Sequence, residues 1–170
     1  MNRGSSIFFS IFATSKKSSM KKNLIISVLM PVLVVLSYIF AVGFQVEYRG
    51  LLTLILLVGL MSLAIRRSRV TYQLMKDKSQ KIQAESFALM YIVEIALPYV
   101  VLPIFTFGGL YPYSTIIVFL SLPVAIACAK TMKNAVKGGP AMIADLNDRT
   151  ANLLTIFSLL FSIAFIVSRF

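Results

Sequence analysis

A single carboxylate, Glu94, lies inside a long apolar segment of this chain, residues 86–110. At the centre of a membrane helix a carboxylate costs roughly 2.5–3.5 kcal/mol on insertion scales, so such groups usually face protein or a water-filled cavity. Two interpretations stay open. Either Glu94 contacts a proton, a substrate or a cation, as in a small carrier, or it is protonated and hydrogen-bonded within the protein near Tyr91.

The second candidate is a dense basic segment, RRSRVTYQLMKDKSQKIQAES, at residues 66–86. Guanidinium and ammonium groups bind phosphate, so this segment predicts a phosphate- or diphosphate-binding site made by Arg66, Arg67, Arg69, Lys76 and Lys78. Asp77, its only aspartate, is the candidate ligand of a hard cation. One carboxylate is a poor Mg²⁺ site, because this ion takes several oxygen ligands. The alternative is a loop whose charge only orients the chain in the membrane.

Other kinds of chemistry are excluded by residue type. The chain has no histidine and one cysteine, Cys128. Imidazole acid–base chemistry, histidine metal sites and internal disulfides are therefore ruled out. Cys128 lies in an apolar run, where a small side chain that packs in a helix is the expected role.

The composition points to a membrane protein. Hydrophobic residues make up 58% of the 170 residues and charged ones 14%, and the mean hydropathy is +0.86. A soluble domain carries about a quarter of its residues as charged ones, so we expect the lipid bilayer to surround this chain. The net charge of +11 does not indicate nucleic acid, because the basic residues flank apolar runs instead of alternating with aromatic ones.

Five segments are apolar enough to cross a bilayer, which takes about 20 residues of α-helix. Because lipid leaves no partner for open backbone groups, we predict an all-α, polytopic membrane bundle. Its spans are residues 24–44, 46–65, 86–110, 114–129 and 152–168.

The basic residues predict the orientation. All but Arg49 and Arg169 of the 17 Lys and Arg residues fall into three clusters, at residues 3–22, 66–81 and 130–149. Basic loops stay on the cytoplasmic side, so the N-terminus is predicted to be cytoplasmic and the C-terminus outside. Residues 1–22 are expected to be a disordered basic tail, with Met20 as a second plausible start.

Two local features complete the pattern. Tyr111 and Tyr113, in the uncharged turn GGLYPY, suit a membrane interface. Asp145 and Asp148 precede the last span, and we expect Asn147, Asp148 or Thr150 to cap it instead of the aspartates binding a metal.

From residue 66 onward the order of features resembles the C-terminal part of the UbiA superfamily of intramembrane prenyltransferases. The similar stretches are STIIVFLSLPVAIACAKTMKNAV at residues 114–136 and DLNDRTANLLTIFSLLFSIAFIV at residues 145–167. The 1,4-dihydroxy-2-naphthoate polyprenyltransferases of menaquinone biosynthesis are the most similar branch. The five spans would correspond to the last five of the family's nine, with residues 66–85 where its second aspartate-rich motif lies.

The resemblance implies transfer of a polyprenyl group from its diphosphate to an aromatic quinone precursor, with Mg²⁺ as cofactor. This sequence has no aspartate before Asp77 and no aspartate-rich motif. We therefore expect a truncated or degenerate form that needs a partner chain to supply the missing half. The alternative is a small non-catalytic integral membrane protein or a subunit of a complex.

Overall fold

A computed structural model describes residues 4–43 and 48–170, with side chains from Lys21 onward except those of Tyr48 and Lys78. Within these residues the chain forms five α-helices and no strand. They are α1 (Gly4–Val42), α2 (Tyr48–Lys76), α3 (Lys81–Phe107), α4 (Leu122–Gly138) and α5 (Leu146–Val167). Five helical stretches are long and apolar enough to cross a membrane, so the predicted all-α bundle is confirmed and fits a multi-pass integral membrane protein.

The second predicted span ends too early. We expected a helix to residue 65 and a basic loop after it, but α2 continues to Lys76 and only a short 3₁₀ turn, Lys78–Gln80, separates it from α3. Residues 66–76 contain no Gly or Pro, and arginine and lysine are good helix formers. Charge alone therefore did not end the helix.

The fourth predicted span begins as a 3₁₀ helix, Tyr113–Ser121, and becomes α4 at Leu122. Pro123 stands in the first turn of α4, where a missing backbone N–H costs nothing. Such a long 3₁₀ segment is uncommon. Its Ser114 hydroxyl donates to the Ala164 carbonyl of α5 at 2.7 Å, which ties it to the core.

α5 is the central helix, and its aromatic side chains form the core. Phe157, Phe161 and Phe165 are fully buried, and the rings of Phe161 and Phe165 stack with centroids 5.0 Å apart. Phe165 also meets Tyr38 of α1 edge-on at 5.2 Å. Edge-on and offset ring pairs add to the energy of area burial, so α5 joins α1 to the rest of the bundle.

Tyr111 is packed in that core, so its ring does not face outward as expected of an interfacial tyrosine. It is 3% exposed, and its hydroxyl donates to the Gly50 carbonyl at 2.9 Å and lies 2.6 Å from the Thr53 hydroxyl. Burial raises the pKa of the Tyr111 phenol. Tyr113 does fit the prediction in being exposed. The sequence did not distinguish them because a Pro-containing turn points its two tyrosines in different directions.

The predicted tail and cap also differ from what the structure has. α1 begins at Gly4 and thus includes most of the segment expected to be a tail, while the part apolar enough to span is Lys21–Val42. The residue before α5 is Asp145, and its side chain makes no capping hydrogen bond. Asp148 is engaged elsewhere, by Asn23 of α1 at 2.5 Å.

Candidate functional site

The three arginines of the predicted phosphate site point to different faces of α2. Successive residues of an α-helix are about 100° apart, and residues three apart share a face. Arg66 and Arg69 accordingly line one groove, between α1 and α2. Arg67 turns toward α3 and forms an ion pair with Glu94. The sequence identified the arginines but not their division between two sites.

The groove of Arg66 and Arg69 has a volume of about 860 Å³. Its walls are mostly apolar and exposed on the outer surface of the bundle. They come from α1, α2 and the start of α5, and include Leu24, Ile55, Leu56, Gly59, Leu60 and Leu63. A Cβ atom added at Gly59 would meet nothing within 4 Å, so this glycine leaves the groove open.

Polar groups collect at one end of the groove. Arg66 and Arg69 are exposed there, with Asn23 of α1 and Asn147 of α5 also in the lining. Asn23 is 4% exposed and its amide donates to the Asp148 carboxylate, which fixes α1 against α5. One end is thus cationic and hydrogen-bonding, and the rest of the lining is mostly hydrocarbon, apart from Ser27 and Ser62.

The Arg67–Glu94 pair joins α2 to α3 at the same level along α2 as Arg66 and Arg69, because an α-helix rises only about 1.5 Å per residue. Glu94 is midway along α3, and its side chain is 9% exposed against 23% for Arg67. Both Nε and Nη2 of Arg67 donate to Oε1 of Glu94 at 2.7 Å. The guanidinium also lies 5.2 Å from the Phe87 ring centroid. Neither interpretation from the sequence named this partner: Tyr91 instead lies 2.7 Å from the Thr150 hydroxyl.

The remaining predicted site residues do not join the groove. The Lys76 ammonium lies 4.5 Å above the Tyr72 ring, and the side chain of Lys78 is outside the described residues. Asp77 caps the turn between α2 and α3, accepting from the Ser79 backbone N–H at 3.0 Å and its hydroxyl at 2.7 Å. Both hydrogen bonds lower the pKa of Asp77, and the bond from the Ser79 hydroxyl has the larger effect.

The donor set does not fit Mg²⁺. Asp77 is the sole carboxylate of its turn and already accepts two hydrogen bonds. No group of three or more His, Cys, Asp or Glu side chains could hold a metal among the described residues. A divalent ion on a diphosphate takes several oxygen ligands, and the described side chains around Asp77 do not provide them.

The sequence missed three residues that shape the groove: Asn23, Gly59 and Asn147. Asn23 follows two lysines at the beginning of an apolar run, which places it at a membrane boundary. Gly59 was a weak signal, because a glycine inside an apolar helix often marks close packing, whereas here it borders open space.

Comparisons with protein-family models, curated proteins and solved structures find no match to this chain. The UbiA relationship remains a prediction.

Proposed function

We propose that this chain is a non-catalytic membrane protein that binds an anionic, phosphate-bearing lipid in the groove between α1 and α2. The observation that carries this proposal is the polarity of the groove, with Arg66 and Arg69 at one end and exposed apolar walls along the rest. Guanidinium groups bind phosphate oxygens through charge-assisted hydrogen bonds, and the apolar walls bury the first part of the lipid chain.

The position of the arginines supports the proposal. They continue α2 beyond its most apolar part, and basic residues near the ends of spans attract anionic headgroups. Unlike Arg67, which pairs with Glu94, Arg66 and Arg69 are exposed and lie in position to meet a lipid phosphate. The cytoplasmic side of the membrane, predicted from the basic clusters, is where this headgroup would lie.

The test is native mass spectrometry of the purified chain with a polyprenyl phosphate. The double variant Arg66→Gln/Arg69→Gln removes both charges, and Gly59→Phe fills the apolar part. The double variant should weaken binding roughly tenfold or more, because it removes charged hydrogen bonds, and Gly59→Phe should weaken it because the ring occupies the space of the lipid chain. The control, Lys130→Gln/Lys133→Gln on α4, removes equal charge outside the groove. Equal loss in the control would show general charge attraction and contradict the proposal.

A second candidate function is prenyl transfer, favoured by the same pairing of arginines with an apolar groove. A polyprenyl diphosphate combines the two chemistries that this groove offers. The chain would then bind the diphosphate, while a partner chain would supply the carboxylates and the site for the aromatic acceptor. Purified chain with Mg²⁺, a polyprenyl diphosphate and a naphthoate acceptor should show no turnover. Metal-dependent turnover by this chain alone would overturn the non-catalytic proposal.

A further inference from the structure

One oxygen of the intramembrane carboxylate has no hydrogen-bond partner. Nε and Nη2 of Arg67 donate to Oε1 of Glu94, and Nη1 donates to the Met90 sulfur at 3.3 Å, whereas Oε2 is buried and unpartnered. An ionised carboxylate only accepts hydrogen bonds, and each oxygen can accept more than one. A buried acceptor without a hydrogen bond destabilises the fold by more than a typical hydrogen bond stabilises it. Oε2 therefore calls for a donor, and because this oxygen is closed off in the present conformation, a neighbouring side chain must shift to admit one.

A cavity adjoins this carboxylate on the outer surface of α3. It measures about 260 Å³ and is lined by Arg67, Leu89, Met90, Val93 and Glu94. Leu89, Met90 and Val93 are each half or more exposed, so the cavity faces the hydrocarbon of the bilayer. Met90 has a flexible side chain that adapts to a ligand. The space suits the head of a small amphiphile, since whole-ligand pockets usually exceed about 300 Å³.

We propose that the Glu94 cavity binds the hydroxyl group of a neutral, lipid-soluble alcohol or phenol, which donates its hydrogen bond to Oε2. The charges favour a neutral donor. Arg67 and Glu94 together are neutral, so an ammonium ligand would leave a net positive charge against the apolar walls formed by Leu89 and Val93, where charge is expensive. The ligand's first carbons occupy the apolar walls, and the rest of its chain lies in the bilayer.

This site is distinct from the groove of the proposed function. The groove uses Arg66 and Arg69 and takes an anion, whereas the Glu94 cavity uses Arg67, on the adjacent face of α2, and takes a hydrogen-bond donor. The double variant Arg66→Gln/Arg69→Gln should therefore leave hydroxyl binding unchanged. Failure of one proposal does not imply failure of the other.

The experiment is photo-crosslinking in phosphatidylcholine nanodiscs with the full chain. The probes are a long-chain alcohol with a diazirine near its hydroxyl, the methyl ether of the same molecule, and a phenol and anisole pair with the same chain. Labelling of the peptide that contains Leu89 and Glu94 is measured by mass spectrometry. We expect the hydroxyl probes to label roughly tenfold more than their ethers. The aliphatic and aromatic pairs show which hydroxyl the site prefers.

The Glu94→Gln variant gives a specific signature. Its amide oxygen can still accept from Arg67, which leaves an N–H₂ donor in place of Oε2. Ethers accept hydrogen bonds as well as alcohols do, so the preference for hydroxyl over ether should disappear. The matched control is Glu85→Gln, an exposed glutamate on the same helix, which should keep the preference. Val93→Trp narrows the cavity while keeping both residues of the ion pair, and it should lower hydroxyl labelling about tenfold. This variant tests the cavity independently if Glu94→Gln fails to fold.

Three results would overturn the proposal. Equal labelling by alcohol and ether in the native chain would mean that water or nothing satisfies Oε2. A preference that persists in Glu94→Gln would place the hydroxyl elsewhere. Hydroxyl labelling that disappears when two copies of the chain share one nanodisc would mean that a protein surface covers the cavity.

Discussion

At the scale of single residues, the Arg67–Glu94 pair shows how α2 and α3 accommodate two opposite charges between them. Two charges in the spanning region are acceptable because they lie 2.7 Å apart and because the Phe87 ring covers the guanidinium. Replacing one partner of a buried pair leaves an uncompensated charge, whereas replacing both by apolar groups is often neutral. The pair is thus a source of fragility more than of net stability.

We expect Arg67→Met to lower the free energy of unfolding by about 3–5 kcal/mol. The double variant Arg67→Met/Glu94→Met should recover most of that loss, because it removes the isolated carboxylate. The measurement is unfolding in mixed micelles by denaturing detergent. Arg66→Met, the same substitution at an exposed position one residue earlier, is the control. Similar losses for Arg66→Met and Arg67→Met would contradict the prediction that Glu94 needs Arg67 as its partner.

The Asp77 turn gives a pH prediction. Hydrogen bonds from Ser79 lower the pKa of Asp77 from its usual 3.8. A carboxyl group with a lowered folded pKa stabilises the fold above its unfolded pKa and loses this contribution as the pH falls through the folded value. The turn should therefore weaken only below about pH 3.8. A carbon-13 NMR titration of Asp77 should have its midpoint below 3.8, and Ser79→Ala should raise that midpoint. An unchanged midpoint in Ser79→Ala would rule out the cap as the cause.

At the scale of helices, α2 has two glycines with different roles along its α1 side. Gly50, near its beginning, lies against the Tyr38 hydroxyl, where an added Cβ would overlap that oxygen. Gly59, in its middle, borders the open groove. The first glycine permits close packing of α1 on α2, and the second keeps a surface concave.

The same substitution at these two glycines should have opposite effects. Gly59→Ala should raise the free energy of unfolding by about 0.5–1 kcal/mol, because alanine loses less backbone entropy within a helix. Gly50→Ala should lower it by about 1–3 kcal/mol, since Tyr38 must move away from Phe165. Thermal unfolding in detergent measures both. Stabilisation by Gly50→Ala would mean that Tyr38 can move without losing its packing energy against Phe165.

At the scale of the whole molecule, the contacts between helix ends are consistent with the charge pattern. The Arg169 guanidinium donates to the Phe40 carbonyl at 2.7 Å, and Tyr111 bonds to Gly50 at that same end. At the other end Asn23 holds Asp148 near Arg66 and Arg69. The two basic residues outside the clusters, Arg49 and Arg169, thus lie away from the groove arginines, as the orientation prediction requires.

Cysteine labelling tests the predicted orientation. In a Cys128→Ala background, Tyr113→Cys and Ser79→Cys place one thiol at each end of the bundle. A membrane-impermeant maleimide should label Tyr113→Cys in intact cells and Ser79→Cys only after permeabilisation, because basic loops remain cytoplasmic. The opposite pattern would reverse the orientation and place the groove arginines outside.

The sequence predicted the five spans because hydropathy over about 20 residues records the solvent of a segment. It also identified Glu94 and the basic segment as unusual. It could not predict that Arg67 and Glu94 pair, since their contact joins two helices and depends on the rotation of each. The sequence could not predict the groove for the same reason, because Asn23, Gly59 and Asn147 line it together only when α1, α2 and α5 pack against one another.

The 3₁₀ helix Tyr113–Ser121 affects how well the bundle matches a bilayer. The apolar run at residues 114–129 would measure only about 24 Å as an α-helix, which rises 1.5 Å per residue. With its first half in the 3₁₀ form, at about 2.0 Å per residue, the run extends to about 28 Å, close to the roughly 30 Å thickness of a hydrocarbon core. The stretched first half lets a short run reach across the membrane, and winding it back to α-helix would draw one end of the span inward. Bilayers of greater thickness should therefore favour the extended form.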